Sequence, residues 1–166
     1  MPRRPYVSEA LTPDHDLSDF RCGVAELDRW LTNYALQAAS NRTARVFVWP
    51  DGRRVVAYYS LTAHQVQREA LSQSIRRGNP NNIPAILLGK FALARHLQSR
   101  GLGSELLVDA LERVVTATQN VAARLVVVDA DNEDVVGFYE HFGFLRTGPE
   151  SNRLVRKISD VAHDLA

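Results

Sequence analysis

The spacing of apolar residues along the chain predicts three helices. Near the N-terminus, from Gly23, they recur every three or four positions, which is the period of an amphipathic helix: Val24, Leu27, Leu31, Tyr34 or Ala35, and Ala38. A longer stripe occupies positions 106, 107, 110, 111, 114 and 115, with charged residues between them. Further along, Asp131-Asn132-Glu133 supplies capping and acidic residues for a third helix through about His141.

Between these helices, runs of β-branched and aromatic residues predict strands. An antiparallel hairpin is predicted for RVFVWPDGRRVVAYYSL, whose two runs flank Pro50-Asp51-Gly52. Buried strands are predicted for IPAILLGKFAL and ARLVVVDA, and two closing strands for FGFLRTG and RLVRKI. The polar stretch from Gln67 to Asn82 indicates a short helix that runs into an exposed loop. The pattern therefore predicts one mixed α/β domain over residues 1–166, with a central sheet and helices on its faces.

Composition narrows the class of protein. The chain has 166 residues and 45% hydrophobic content, enough for one core. Lys and Arg total 20 against 19 Asp and Glu, so a polyanion has to be met by a local patch. The single cysteine forms no internal disulfide, and no apolar run approaches the roughly 18 residues of a membrane span. The start MPRRPYVSEA lacks the apolar core of a secretory signal, so a cytoplasmic location with no membrane partner is expected.

Two glycines lie in QSRGLG, residues 98–103, between a predicted strand and the longest predicted helix. A turn of this kind presents free backbone N–H groups and the positive end of the helix dipole in one place, which suits a phosphate or pyrophosphate. Gly101 and Gly103 would let the main chain approach the anion, and Arg100 or Arg95 could add positive charge. The structural alternative is a plain turn that packs the helix tightly against the sheet.

Two familiar nucleotide motifs are excluded by their residues. A Walker loop around Gly89-Lys90 would need glycine at 84 and Ser or Thr at 91, where the chain has Pro84 and Phe91. The dinucleotide fingerprint would need a third glycine at 106, where the chain has Leu106. The glycine turn therefore belongs to another class of anion site or to none.

The turn resembles the Gln/Arg-x-x-Gly-x-Gly/Ala signature of the GNAT N-acetyltransferases, which binds the pyrophosphate of coenzyme A. Nearly the whole chain also resembles the GNAT toxins of type II toxin–antitoxin modules. Four blocks carry this resemblance in the same order: FRCGVAELDRWL, VVAYYSL, IPAILLGKFAL and VVGFYEHFGF. The resemblance implies the GNAT acyl-CoA N-acyltransferase fold, an α/β (α+β) architecture whose central, mixed and mostly antiparallel twisted sheet has helices on both faces.

The resemblance also implies a site for acetyl-CoA and no metal. The strand through Phe91, Ala92 and Leu93 is expected to leave its neighbour and to pair its backbone with the pantetheine arm. Asn132 lies where many GNAT enzymes contact the coenzyme, and Tyr139 takes the position of the tyrosine that protonates the departing thiolate. The pyrophosphate is expected to be held by residues of the turn: Gln98, Arg100, Gly101, Leu102, Gly103 and Ser104.

The chemistry of acetyl transfer favours an acid over a base. An α-amino group has a pKa of about 7.7–8.0, and a neighbouring ester lowers it further, so an aminoacyl ester is already partly neutral. The thiolate that leaves needs a proton, and the carbonyl oxygen under attack needs hydrogen-bond donors such as backbone N–H groups of the strand at 91–93. By spacing alone, Tyr139 between Phe138 and Phe142 is a core aromatic residue, but its place in GFYEHFGF favours the acid.

Other reactive side chains are assigned no catalytic role. His96 lies in a polar loop and His141 beside an acidic residue on a predicted exposed turn, so neither is expected to act as acid or base. Cys22 has no suggested base partner and is expected to be a small buried apolar residue. His64 is left unassigned.

With a net charge near zero, RNA has to bind a local basic surface. Arg76 and Arg77 in the polar loop and Lys90 in the donor strand are the predicted RNA-binding residues, although charged residues are more often plain solvated surface. Further basic candidates are Arg42, Arg45, Arg153, Arg156 and Lys157. The last two lie in the final predicted strand, which indicates either an exposed edge strand or an added RNA contact.

The resulting hypothesis is a toxin that moves the acetyl group of acetyl-CoA to the α-amino group of an aminoacyl-tRNA and so blocks translation. The resemblance implies a ribbon-helix-helix antitoxin, a homodimer, and operator DNA contacted only through the antitoxin complex. Two alternatives stay open. One is a GNAT enzyme that acetylates a small amine or a protein N-terminus, and the other is a non-catalytic regulator that binds acetyl-CoA.

Overall fold

The computed structural model describes residues 4–166. The strands in that range are β1 (Glu9–Ala10), β2 (Arg45–Asp51), β3 (Arg54–Gln67), β4 (Asn82–Leu93), β5 (Leu125–Asp129), β6 (Leu145–Arg146) and β7 (Arg153–Lys157). The α-helices are α1 (Ala25–Asn33), α2 (Ala35–Ser40), α3 (Gln73–Arg76), α4 (Leu102–Ala117), α5 (Glu133–His141) and α6 (Ile158–Leu165). Two short 3-10 helices span Arg68–Ala70 and Arg95–Leu97.

The strands hydrogen-bond in the order β1-β2-β3-β4-β5-β7-β6. Antiparallel pairing of β2 with β3 matches Arg45 with Leu61 and Asp51 with Arg54, which confirms the predicted hairpin. By contrast, β4 and β5 are parallel and are joined through α4, because parallel neighbours need a crossover connection. The final strand, β7, is antiparallel to both β5 and β6. The sheet is therefore mixed and mostly antiparallel, as the resemblance implies.

By its internal contacts the chain divides into two compact units. The first comprises residues 4–62 and 89–110, and the second comprises residues 63–88 and 111–166. In the first unit, α1 is held on β3 through aromatic rings. Tyr58 stacks on Trp30 with ring centroids 5.9 Å apart, meets Phe20 edge to face at 5.6 Å, and donates its hydroxyl hydrogen to the Leu27 carbonyl at 2.7 Å.

A buried carboxylate anchors α4 within the first unit. Asp109 is only 5% exposed. Its Oδ1 accepts from the hydroxyls of Ser8 and Tyr59, each at 2.6 Å, and its Oδ2 accepts from the Trp49 indole N–H at 3.1 Å. The Arg4 guanidinium lies 3.3 Å from Oδ2 and supplies the opposite charge. Burying a charge is costly without such partners, so this cluster fixes the helix to β2, β3 and the N-terminal segment.

The second unit has its own apolar cluster, formed by strands and by the short helices between β3 and β4. Leu87 packs against it from the side. Its buried members are Val66, Leu71, Ile75, Ile83, Ala85, Leu125, Val127 and Val155. The polar stretch before β4 is thus tied to the sheet by Leu71 and Ile75, whereas the sequence predicted only a short helix and an exposed loop there.

The structure differs from the sequence prediction at the first helix. The single predicted helix is two helices, because Tyr34 leaves helical geometry with φ −127° and ψ −23°. Its N–H still bonds to the Trp30 carbonyl, so α1 is closed normally before α2 begins. Tyr34 is 58% exposed, and no packing force requires the two segments to remain one helix.

The structure also decides against one of the two interpretations of the basic residues in the final strand, Arg156 and Lys157. Because β7 lies between β5 and β6, the exposed edge-strand interpretation is wrong. Arg156 forms an ion pair with Asp164 of α6, and its Nε lies 3.0 Å from the place a Cβ would take on Gly143. Neither α6 nor the two-residue β1 was predicted, since β1 is too short to show a period and α6 follows β7 without a turn signal.

Candidate functional site

Strand β4, which is expected to pair with the pantetheine arm of acetyl-CoA, continues beyond the residues that pair with β5. The β4–β5 ladder runs from Ala85 to Leu88 on β4, and β4 then extends to Leu93. Within the extension, the Lys90 N–H donates to the Ser60 hydroxyl at 2.9 Å. Phe91 is half-buried. The stretch 91–93 thus lies outside the β4–β5 ladder, where the resemblance expects the strands to part.

The turn between β4 and α4 is held by one side chain. The amide nitrogen of Gln98 donates to the Cys22 carbonyl at 2.7 Å and to the Leu93 carbonyl at 2.8 Å. Both amide hydrogens are therefore used inside the protein. This makes Gln98 the residue that positions the turn, and it leaves the backbone and the other turn residues to meet a ligand.

The backbone of this turn is built for glycine at one position. Ser99 and Gly101 have φ of +64° and +78°, the left-handed region that L side chains rarely adopt. A Cβ added at Gly101 or Gly103 would meet nothing within 4 Å. The tight-packing alternative requires close neighbours at these glycines, so it is wrong. The turn instead presents open space beside the first N–H groups of the 16-residue helix α4.

This geometry fits an anion such as a pyrophosphate. Glycines without neighbours let a ligand reach the main chain, and the N-terminus of α4 provides donors and the positive end of its dipole. Arg100 is exposed and Ser104 is half-buried, so both are accessible from the same short segment. The residues present therefore fit the pyrophosphate of acetyl-CoA.

Two of the predicted site residues lie on α5, in the second unit. Asn132 is the N-cap, and its side-chain oxygen accepts from the Val135 N–H at 3.0 Å, as the capping prediction requires. Tyr139 is 4% exposed, with ring centroids 5.3 Å from Phe138 and 5.4 Å from Phe144. Tyr139 is thus a core aromatic residue by packing, as its spacing alone indicates.

The protonation state of Tyr139 suits a proton donor. Burial raises the pKa of its phenol well above the ordinary value, and the nearby charge of Asp131 raises it further. The phenol consequently keeps its proton throughout the neutral range. A phenol in this state is a hydrogen-bond and proton donor at neutral pH, and it cannot act as a base.

A polar cluster joins three strands of the second unit. Arg153 forms a bidentate pair with Asp129, with both N–O distances 2.8 Å, and its Nη1 lies 3.2 Å from Nε2 of His64. The two hydrogen bonds from Arg153 hold the pKa of the Asp129 carboxyl below its usual range, against the opposing effect of burial. His64, to which the sequence assigns no role, therefore lies beside the ion pair of Arg153 and Asp129.

Replacing Arg153 by alanine is expected to destabilise the protein at neutral pH but not in acid. The folded-state pKa of Asp129 is lowered, so the pair stabilises the protein above the unfolded value of about 3.9 and is lost as the pH falls through the folded-state pKa. Thermal unfolding midpoints of wild type and Arg153→Ala, measured from pH 7 into acid, should converge. Arg124→Ala, at an exposed position before β5, is the control, and a constant difference for Arg153→Ala would contradict the assignment.

The predicted RNA-binding residues fall in different surroundings. Arg76 and Arg77 line a cavity of about 570 Å³ in the second unit, which we call the loop pocket. The rest of its lining is Arg68, Gln73, Ser74 and Gly78. Arg76 donates from Nε and Nη2 to the Leu71 carbonyl, whereas Arg77 is exposed. Arg68, which the sequence did not single out, has a buried Nε with no hydrogen-bond partner in the described chain.

Lys90 lies in the first unit, with its Nζ 5.5 Å from the Trp30 ring centroid. A cation over an indole face gains a modest electrostatic attraction. The contact orients the ammonium group from β4 toward α1. Lys90 is half-buried, so its methylene stem is packed while it stays accessible.

The remaining reactive residues have the burial or exposure that the sequence predicts, although His96 lies in a 3-10 helix and His141 ends α5. Cys22 is buried, and burial together with a hydrogen bond to Asp28 raises the pKa of its thiol to about 11. A thiol in this state is a poor nucleophile. His96 and His141 are exposed. Among residues 4–166, no group of His, Cys, Asp and Glu side chains could hold a metal ion, and no helix is long and apolar enough to cross a membrane.

Comparison with known proteins places the chain among acetyltransferases. The model of the acetyltransferase (GNAT) family matches residues 5–144. A tRNA-acetylating toxin of Mycobacterium tuberculosis (strain ATCC 25618 / H37Rv) is 36% identical over 143 residues, covering 86% of this chain and 82% of that protein.

Two solved structures are similar over almost the full length. AtaT complexed with acetyl-methionyl-tRNAfMet superimposes with a TM-score of 0.87 at 30% identity, covering 96% of this chain and 99% of that one. A mutant AtaT toxin bound to the C-terminus of the antitoxin AtaR and to acetyl-CoA gives a TM-score of 0.81 at 29% identity, covering 95% and 96%. The fold expected from the resemblance is confirmed.

Proposed function

The chain belongs to the acetyltransferase (GNAT) family, and we propose that it transfers the acetyl group of acetyl-CoA to the α-amino group of an aminoacyl-tRNA. In this role it acts as the toxin of a toxin–antitoxin pair and blocks translation. The acceptor is supported by the similarity to a tRNA-acetylating toxin and to a toxin solved with an acetylated aminoacyl-tRNA.

The observation that carries the proposal is the open glycine turn at the start of α4. Gly101 and Gly103 face free space, and Gln98 ties the turn to two neighbouring carbonyls. Residues Arg100 to Ser104 would hold the coenzyme pyrophosphate through backbone N–H groups and one guanidinium. Asn132 would add a contact through the part of its amide that does not cap α5.

The strand segment 91–93 would orient the thioester. Acetyl-CoA supplies an activated acetyl group, and the protein has to hold its carbonyl where the amine can attack. Backbone N–H groups of Phe91 and Leu93 are the proposed donors to the carbonyl oxygen as negative charge develops on it. The N–H of Ala92 has the same direction as those of Lys90 and Ala94, which bond to residues of β3. The β4–β5 ladder stops at Leu88, so this segment is outside it.

Tyr139 is the proposed acid. The new C–N bond forms as the C–S bond breaks, and the electron pair of that bond leaves on sulfur, which takes the phenolic proton. The ammonium group formed by the attack loses its proton to solvent without a strong base, because an aminoacyl ester lowers the pKa of its amine. The Tyr139 phenolate regains a proton from solvent before the next turnover. The phenol is protonated at neutral pH, and burial raises its pKa further.

The tRNA is proposed to contact Arg76, Arg77 and Lys90. Arg77 is exposed on the loop pocket, and Lys90 presents its ammonium group beside Trp30. Contacts of this type go to the phosphate backbone, so they confer affinity and salt dependence rather than sequence choice.

The proposed partner is an antitoxin encoded with the toxin, as in the AtaT–AtaR complex. We expect it to be of the ribbon-helix-helix class and to mediate any contact with operator DNA. A homodimer in the cytoplasm is the proposed state of the free toxin. Size measurement in solution and the sequence of the neighbouring gene test these statements.

The direct experiment is acetylation of charged tRNA. Purified protein is incubated with acetyl-CoA and a panel of aminoacyl-tRNAs, and the products are digested and analysed by mass spectrometry for acetylated aminoacyl-adenosine. Uncharged tRNA and a panel of polyamines are the controls. Acetylated polyamine without any acetylated aminoacyl-adenosine would replace the proposal by the small-amine alternative, and no product with any acceptor would favour the non-catalytic regulator.

Alanine substitutions at the two glycines separate backbone strain from ligand contact. Gly101→Ala should cost about 1–2 kcal/mol of stability because of its left-handed φ. Gly103→Ala should not destabilise, since its Cβ meets nothing and alanine favours helix. Both should weaken acetyl-CoA binding about tenfold or more by blocking a charged hydrogen bond.

Calorimetric titration and thermal unfolding of the same samples measure the two effects. Gly52→Ala is the matched control, because Gly52 also has a positive φ and open surroundings but lies in the β2–β3 turn. It should lose stability like Gly101→Ala and bind acetyl-CoA normally. If Gly103→Ala binds acetyl-CoA as tightly as wild type, the pyrophosphate is not bound at this turn.

A further inference from the structure

A second basic cavity lies in the first unit, away from the residues that the sequence singled out for RNA. It has a volume of about 400 Å³, within the range of small-ligand sites. We call it the arginine pocket. It is lined by Asp19, Phe20, Arg21, Arg54, Val55, Ala94, Arg95 and His96. The lining comes from three separate segments: the loop before α1, the start of β3, and the residues directly after β4 that enter the 3-10 helix.

The charge of the arginine pocket is unbalanced. Three guanidinium groups face one carboxylate, Asp19, and the imidazole of His96. Arg21 donates to the Phe20 carbonyl at 2.7 Å. Arg54 and Arg95 make no side-chain hydrogen bond or ion pair with the described residues, and both are exposed.

One more carboxylate lies close to this pocket and does not neutralise it. The Asp16 carboxylate accepts hydrogen bonds from the backbone N–H and the hydroxyl of Ser18, which are the main reasons that its pKa is lowered. The charge of Arg54 adds a smaller contribution. Asp16 therefore has its own partners, and the donors of Arg54 remain available.

The backbone that carries these arginines is rigidly connected. The Arg95 N–H donates to the Arg21 carbonyl at 2.7 Å, and the Ala94 N–H donates to the Val56 carbonyl at 2.8 Å. The Val55 N–H donates to the Asp16 carbonyl at 3.0 Å. The three segments are thus cross-linked by main-chain hydrogen bonds, so the backbone positions that carry the three arginines are fixed relative to one another.

The arginine pocket adjoins the glycine turn through shared segments. Gln98 of the turn bonds to carbonyls at Cys22 and Leu93, one residue beyond Arg21 and one before Ala94 of the pocket lining. A ligand group in the pocket would therefore lie near the place where the acetyl donor is held. The turn backbone is the proposed site of the pyrophosphate, and the side-chain donors of the pocket form a separate set beside it.

We propose that the arginine pocket binds a backbone phosphate of the aminoacyl-tRNA. Guanidinium groups form paired hydrogen bonds with phosphate oxygens, and the pocket offers two such groups without internal partners. Its apolar walls, Phe20, Val55 and Ala94, lower the competition from water. This inference rests on the proposed function, because it takes RNA as the acceptor substrate.

Binding of uncharged tRNA over a series of KCl concentrations tests the pocket without requiring catalysis. The double variant Arg54→Ala with Arg95→Ala should weaken binding about tenfold or more. The slope of log affinity against log salt should become shallower by about 0.7–0.9 for each phosphate that the variant no longer neutralises. Arg53→Ala is the matched control, since Arg53 precedes Arg54 in the same strand turn but donates to the Asp14 carbonyl outside the pocket.

Thermal unfolding and acetyl-CoA titration of the same variants complete the experiment. The double variant should unfold at the same temperature as wild type, because the side chains of Arg54 and Arg95 are exposed and make no hydrogen bond with the described residues. Unchanged acetyl-CoA affinity then assigns the loss of binding to RNA rather than to a charge that Arg95 supplies beside the pyrophosphate. The proposal is overturned if the double variant binds tRNA like Arg53→Ala, or if acetyl-CoA binding weakens while tRNA binding does not. If wild type acetylates charged tRNA but the double variant binds tRNA as tightly as wild type, only the arginine-pocket proposal is rejected. If the double variant binds tRNA more weakly than wild type but wild type acetylates no aminoacyl-tRNA, only the proposed function is rejected.

Discussion

Replacement of Tyr139 by phenylalanine is expected to lower the turnover number by about 10²–10⁴-fold, the usual contribution of a positioned acid. Acetyl-CoA binding and stability should change little, because phenylalanine keeps the ring contacts with Phe138 and Phe144. The reason is specific to the leaving group. Burial keeps the phenol protonated, so its removal leaves the thiolate to be protonated by water.

The control for this substitution is a second buried tyrosine. Tyr58→Phe also removes a buried hydroxyl, one that donates to the Leu27 carbonyl in the first unit, and burial raises its phenol pKa as well. It should cost about 1 kcal/mol of stability and leave turnover unchanged. Steady-state kinetics of both variants with charged tRNA measure the difference. Equal rates in wild type and Tyr139→Phe would reduce Tyr139 to a core residue.

Replacement of Asp109 by alanine is expected to be the most destabilising single change discussed. The substitution removes the acceptor for Trp49, Tyr59 and Ser8 and leaves Arg4 without its buried partner. Breaking a buried charged cluster on one side costs about 3–5 kcal/mol, because the remaining donors stay buried and unsatisfied. Urea unfolding measures the loss, and fluorescence of the indole beside the substitution reports it directly.

The matched control lies one turn away on the same helix. Glu105 is half-exposed, with a carboxylate oxygen 3.9 Å from the Arg4 guanidinium, so Glu105→Ala should change stability by less than about 1 kcal/mol. Tyr59→Phe, which removes a single donor, should fall between the two. An Asp109→Ala protein as stable as Glu105→Ala would show that the cluster contributes no net stability.

The sequence predicted those parts of the molecule that depend on local pattern. Helix α4, strand β5 and the β2–β3 hairpin follow from apolar period and turn residues, and the capping role of Asn132 follows from its place before α5. The acetyl-CoA residues came from the resemblance of short motifs. Tyr139 illustrates the limit, because its spacing indicates a core residue and only the motif indicates an acid.

Features assembled from distant segments were not predicted. The residues that donate hydrogen bonds to Asp109 lie between 50 and 101 positions away from it in the sequence, and no local pattern indicates that they meet. The arginine pocket draws Arg21, Arg54 and Arg95 from three segments, each of which has an ordinary charged residue when taken alone. Long-range polar contacts are set by topology, and a single sequence carries little trace of them.

The double tie made by Gln98 has a thermodynamic consequence for the turn it supports. Its amide holds the carbonyls of Cys22 and Leu93 with no ligand contribution. The loop therefore has its conformational entropy removed during folding rather than during association. Coenzyme contacts made there are expected to appear almost undiminished in the binding free energy, since a preorganised loop has little order left to gain.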